Sequence, residues 1–274
     1  MPRSVLNRIA PASLGTGTPS SSTFLRGDGA WATPSPSHID LMDRVIVLPR
    51  LGATTLDGVG GTMSATGTAT AATWATTNVH TRTHRVDYLV TAAATTAVAG
   101  VRSSNPGAVY TRNLAAGYGG FRVTLIAGPA TGVATATHRF FAGLANSTAA
   151  PTDVQPSSLV NMVGIGWDAA DTNCQIMYND GSGVASKIDT GWAVPTTDRA
   201  VMYRIEISCA ADAAWITYLA TDMVTGLTVS GTLTTDIPSG TTALAPRAYA
   251  SVGGTSAVVG LAFGGLVTEH AVMP

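Results

Sequence analysis

From Ile39 onward the chain reads as short apolar or alternating runs cut by Gly, Pro, Asn and Asp, which is how many short strands joined by turns look in sequence. The cleanest alternation is VMYRIEIS at 201–208, where Tyr203, Ile205 and Ile207 fall on one face and Arg204, Glu206 and Ser208 on the other. Comparable runs stand at 44–49, 84–90, 120–127, 138–145 and 159–168, and again in CQIMYND, AWITYLAT, LTVSGTLT, RAYASV and VVGLAFGGLVTE. Turn chemistry follows at Asn179-Asp180-Gly181-Ser182-Gly183 and at Thr225-Gly226. About a dozen strands without a strong helical pattern predict an all-β, two-sheet jelly-roll sandwich. The Thr-rich stretch 52–78 is low in complexity and predicts irregular or edge-strand structure. No repeat of fixed period is visible, which disfavours a solenoid or propeller.

Residues 1–37 differ in texture and are read as an extended N-terminal anchoring segment, with the sandwich occupying 38–274. Within it, LGTGTPSSSTFLRGDGAWATP at 14–34 combines helix-blocking prolines and loosening glycines with Phe24, Leu25 and Trp31, apolar residues that need a surface to cover them. Those three are the candidate docking residues.

Composition sharpens the picture. Charged residues make up 11% of the 274, against about a quarter in ordinary soluble domains. A surface so poor in charge predicts burial in an oligomer or larger assembly. The charges are almost all Arg and Asp, Lys187 being the single lysine and Glu206 and Glu269 the two glutamates. A net charge of -1 gives no electrostatic footprint for nucleic acid. No run of eighteen apolar residues and no signal-like N-terminus is present, so the expectation is cytosolic synthesis without membrane insertion. Cys174 and Cys209, on strand-like segments, read as buried small apolar side chains.

The candidate chemistry is sparse. Asp168, Asp171 and Asn173, with Asn179 and Asp180 in the neighbouring turn, place hard oxygen donors as a calcium site would require, although the spacing is not an EF-hand's and no bidentate Glu follows. The same residue types are ordinary turn formers. No cofactor is expected beyond that one candidate cation. His80 and His84 fall on one side of a strand; His38, His138 and His270 belong to no recognisable sequence motif. Arg26-Gly27-Asp28 and the sequon Asn146-Ser147-Thr148 are short enough to arise by chance. No nucleophile elbow, zinc helix, phosphate loop or paired-carboxylate pattern appears, and the chain is not read as an enzyme. Among the aromatics Trp167, Tyr178, Trp192, Trp215 and Tyr218, the strand pattern makes Trp167 core and sets Trp215 and Tyr218 on opposite faces, leaving Tyr178 and Trp192 as the carbohydrate-stacking candidates.

Two resemblances join these readings. TFLRGDGAWATP preceded by LGTGTPSSS resembles a connector segment near the N-termini of tailed-bacteriophage fibre and host-recognition proteins. The ordered set GGFRVTLIAG, RFFAGLAN, NMVGIGWDAADTNCQIMYNDGSGVASKIDTGW, YRIEIS and FGGLVTEH is similar to the concanavalin-like, laminin-G-like jelly roll at the C-terminal end of many such proteins. The resemblance implies a homotrimeric virion protein assembled in the bacterial cytoplasm. It would be anchored to other virion proteins by its N-terminal segment and would display the jelly roll toward host-surface polysaccharide. The alternative it leaves is a capsid or tail decoration or collar fibre with a purely structural role.

Overall fold

The computed structural model describes residues 24–25, 31–32, 42–50, 54–59, 61–71, 79, 84–104, 111–113 and 119–271. The chain divides into two compact units, residues 1–42 with 274, and residues 43–273. In the first, β1 (Phe24–Leu25) and β2 (Trp31–Ala32) form an antiparallel pair with Leu25 opposite Trp31. The side chains of Phe24, Leu25 and Trp31 lie outside the described residues, as do the backbone of Arg26-Gly27-Asp28 and His80.

The second unit is a sandwich of two antiparallel sheets. One has the order β13 (Ser186–Ala193), β12 (Asn173–Asn179), β11 (Met162–Trp167), β10 (Arg139–Ala145), β17 (Ala245–Ser251), β8 (Val98–Ser103), β5 (Thr62–Thr66), β4 (Thr55–Asp57). The other runs β16 (Thr228–Leu233), β15 (Ile216–Asp222), β14 (Tyr203–Cys209), β9 (Phe121–Thr131), β18 (Ala257–Ala271), β7 (Val86–Ala94), β6 (Thr68–Ala71), with β3 (Met42–Val47) also pairing β18. The chain changes sheet between β3 and β4, β5 and β6, β7 and β8, β8 and β9, β9 and β10, β13 and β14, β16 and β17, and β17 and β18. Between those crossings β10–β13 and β14–β16 run as meanders, one per sheet. That is the jelly-roll architecture. The residues from 84 to 271 that are described include no α-helix, only a short 3-10 turn at Pro156–Ser158.

The pattern that defined β14 in sequence is the one observed: Tyr203, Ile205, Ile207 and Cys209 are buried and the residues between them half-exposed. Across the gap Phe140, Ala142 and Leu144 of β10, Val163, Ile165 and Trp167 of β11, and Cys174 and Ile176 of β12 complete one continuous core. Both thiols are buried and outside any disulfide, and burial pushes Cys174 up to about 12 and Cys209 to about 11, so neither is a nucleophile at neutral pH.

A second, smaller core lies on the outer face of the first sheet, where Phe141, Ala145, Met162, Met177 and Tyr249 are covered by the segment between β10 and β11 through Leu159. Here glycine is required: a Cβ at Gly164 would lie 2.8 Å from Cε2 and Cζ of the Phe141 ring and closer still to the Ala142 carbonyl on the facing strand. Gly164→Ala is expected to lower stability by about 1–3 kcal/mol through overpacking, read as a reduced denaturation midpoint at unchanged slope.

Candidate functional site

The same covering segment positions the chemistry. The amide of Ser157 donates to Asp168 Oδ1 at 3.0 Å, and Gln155 Oε1 accepts from the Ala169 amide at 3.0 Å. Asp168's own amide donates to Asp171 Oδ2 at 2.8 Å, closing the β11–β12 turn on itself. From the edge strand β13, Lys187 reaches this turn and its Nζ lies 2.8 Å from Asp168 Oδ2.

This turn forms one wall of a cavity of about 440 Å3 at one end of the sandwich. The β9–β10 loop, Val133 to His138, forms a second wall, and Val194 to Thr196, after β13, a third. The walls are tied together. Val194 N donates to the Thr172 carbonyl at 2.9 Å. Asp198 accepts from Thr131 Oγ1 at 2.7 Å and from Val133 N at 3.2 Å, and Arg199 Nε donates to the buried Asp87 carboxylate at 2.9 Å.

Two side chains give the cavity its character. Trp167, 1% exposed, and His138, 4% exposed, lie with ring centroids 5.8 Å apart. The indole Nε1 and both imidazole nitrogens have no hydrogen-bond partner among the described residues. Burial pushes His138 down to about 4, against a smaller opposing pull from Asp198, so at neutral pH it is uncharged, with one nitrogen a donor and the other an acceptor. Unpaired buried polar atoms are rare and destabilising, and three of them beside one cavity suit a ligand that supplies hydroxyls.

The structure brings Asp168 and Asp171 together on this wall. Asn173 turns away from them, its Nδ2 donating to Asp189 at 3.0 Å. Tyr178 and Trp192 lie near opposite ends of the β12–β13 hairpin, each half-buried against the inter-sheet core. Trp192 is stacked on the Tyr203 ring, centroids 6.1 Å apart and planes within 1°. As the strand pattern predicts, Trp167 and Tyr218 are buried while Trp215 is exposed. Glu206 pairs with Arg122 at 3.1 Å and Arg204 at 3.2 Å on the outer face of the second sheet. Asn146 of the sequon donates through Nδ2 to the Ala243 carbonyl at 2.8 Å. His138 and Lys187 have no sequence signature, because their neighbours are supplied by loops far apart in the chain. The one available hint was that Lys187 is the single lysine.

No protein-family model matches the chain, and no curated protein sequence matches it. Solved structures do. A protein of unknown function from Shewanella oneidensis MR-1 superposes with TM-score 0.53 at 12% identity, over 84% of this chain and 87% of that one. The lectin UEA-II, complexed with galactose, superposes with TM-score 0.50 at 11% identity, over 85% of this chain and 99% of that one. A carbohydrate esterase of Shiga toxin-encoding bacteriophage phi24B, at TM-score 0.42 and 14% identity over 77% and 90% of the two chains, is too distant to support an argument. The first two likenesses, with the two-sheet topology, establish the lectin-like jelly-roll fold. Among the described residues no helix is long and apolar enough to cross a membrane.

Proposed function

We propose that the chain is an adhesion protein of a tailed-phage virion appendage. In this reading it is a homotrimer attached to other virion proteins through its N-terminal segment, and its jelly roll binds host-surface glycan without chemistry. The observation that carries the glycan reading is the end cavity, where a buried indole N–H and an uncharged imidazole stand unpaired beside apolar walls from Val133, Ala134, Val194 and Pro195. A pyranose offers what this surface lacks, hydroxyls for the nitrogens and a C–H face for the apolar wall. The carboxylates of Asp168 and Asp171 on the turn wall favour neutral over acidic sugars. The virion reading rests on the Leu14–Pro34 connector. Weak single sites repeated on a trimer and again across a particle would give firm attachment.

The test is a glycan-array screen of the full-length chain followed by titration of the best neutral oligosaccharide. His138→Phe, which keeps a ring and removes both nitrogens, is expected to weaken binding about tenfold or more, the worth of one lost hydrogen bond. Unchanged affinity in a folded variant would move the site elsewhere, Tyr178 and Trp192 being the next surfaces to probe. Light scattering should return a trimer mass; a monomer would overturn the fibre reading. Absence of any glycan or host-cell binding by a trimer would favour a decoration or collar role.

A further inference from the structure

We infer that the Asp168–Asp171 turn is built around an internal cation, the ammonium of Lys187, standing where a lectin-like jelly roll with these donors would take a calcium ion, so that the fold and its end cavity work without divalent metal. The geometry is that of a filled site. Lys187 Nζ lies 2.8 Å from Asp168 Oδ2, 2.8 Å from Asp171 Oδ1 and 2.7 Å from Asp171 Oδ2, contacting three of the four carboxylate oxygens. The fourth, Asp168 Oδ1, accepts from the Ser157 amide at 3.0 Å. Asp171 Oδ2 accepts from the Asp168 amide as well, at 2.8 Å.

A calcium ion fits this arrangement poorly. It takes six to eight oxygens at about 2.3–2.6 Å, and here the two carboxylates already accept five hydrogen bonds from Lys187 and two amides. Asn173, the third expected ligand, is tied to Asp189. Among the described residues no group of three or more His, Cys, Asp or Glu side chains could hold a metal. Calcium would therefore have to displace the ammonium. A lysine suits the place physically: its three donors meet the three oxygens, and the edge strand β13 brings its stem alongside. Burial alone would lower the Lys187 pKa, but the hydrogen bonds to Asp168 and Asp171 outweigh it and the net direction is upward, so the charge persists at neutral pH. Lys187 is thus a positioning residue, acting on the cavity through the turn that forms its wall.

The experiment reads melting temperature with and without chelator, so it stands whether or not the glycan reading does. The wild-type chain is expected to melt at the same temperature in EDTA and in millimolar calcium. Lys187→Met leaves two carboxylates facing each other. It is expected to melt at least about 4 °C lower in EDTA and to recover much of that loss in calcium. The double variant Asp171→Asn with Lys187→Met, with one carboxylate left, is expected to melt above the single variant in EDTA and to be indifferent to calcium. Three results overturn the inference: a wild type whose melting temperature moves with chelator or calcium, a Lys187→Met chain equal to wild type in EDTA, or one that is destabilised yet unmoved by calcium. Should Lys187→Met fail to fold, the double variant carries the test. It is then expected to fold and ignore metal, and failure in either respect overturns the inference.

Discussion

Trp167→Ala is expected to remove about 3–5 kcal/mol of stability, the range for truncating a fully buried large aromatic side chain. Trp167 is 1% exposed and is the hinge of an aromatic cluster drawn from both sheets. It stacks on Phe140 of β10 at 4.8 Å and meets Tyr203 of β14 edge-on at 6.3 Å, while Trp192 of β13 stacks on Tyr203. Tyr203 also meets Cys174 Sγ at 3.0 Å, so a cavity at Trp167 loosens contacts across the sandwich. Against a typical total of about 5–15 kcal/mol, the loss is about a fifth or more of what holds a domain folded. Urea denaturation at unchanged slope measures it, and a loss below about 1 kcal/mol would show that the cluster does not tie the sheets as described. The same variant should lose glycan binding even where it remains folded, because the cavity loses its indole wall.

How much of this was legible in the sequence follows from where each signal is local. β14 and β15 announce themselves because one face is dry and the other wet, so alternation and burial coincide residue by residue. β8, VAGVRS, carries no strand signature in sequence: it lies between two neighbours with five of its six residues buried, and so has no alternation to show. β13, SKIDTGWA, carries none for the opposite reason, as a polar edge strand with one buried residue. The Thr-rich stretch did contain edge structure, β4 and β6 being the last strands of their sheets. The cavity was not legible at all. Its walls come from residues 133–138, 167–172 and 194–196, and no local pattern links them. The strand pattern marks Trp167 as core, yet its unpaired N–H, the part of that residue on which the glycan proposal rests, depends on which loop comes to lie beside it. The Asp168–Asp171 pair was visible, but its partner lies 16 residues beyond Asp171, on another strand.

Acid should destabilise the protein earlier than its carboxylates alone would. The buried His138 sits at about 4 in the folded chain against 6.5 when free. Between those values the unfolded chain binds the proton and the folded chain refuses it, so stability falls as pH falls from about 6.5 to about 4 and this residue adds no slope outside that window. At about 1.4 kcal/mol per pH unit the full drop is about 3 kcal/mol. His138→Phe removes the titrating group, so the variant is expected to keep most of that stability when urea unfolding is compared at pH 7 and pH 4.5. At pH 7 it should also be more stable than wild type by about 1 kcal/mol, since two unpaired buried nitrogens are gone. A residue kept for the fold would not be improved by its own removal. Higher stability combined with weaker glycan binding in one variant would mark His138 as a group retained for its ligand. Equal acid sensitivity in the two chains would show instead that the imidazole reaches solvent and takes up its proton in the folded state.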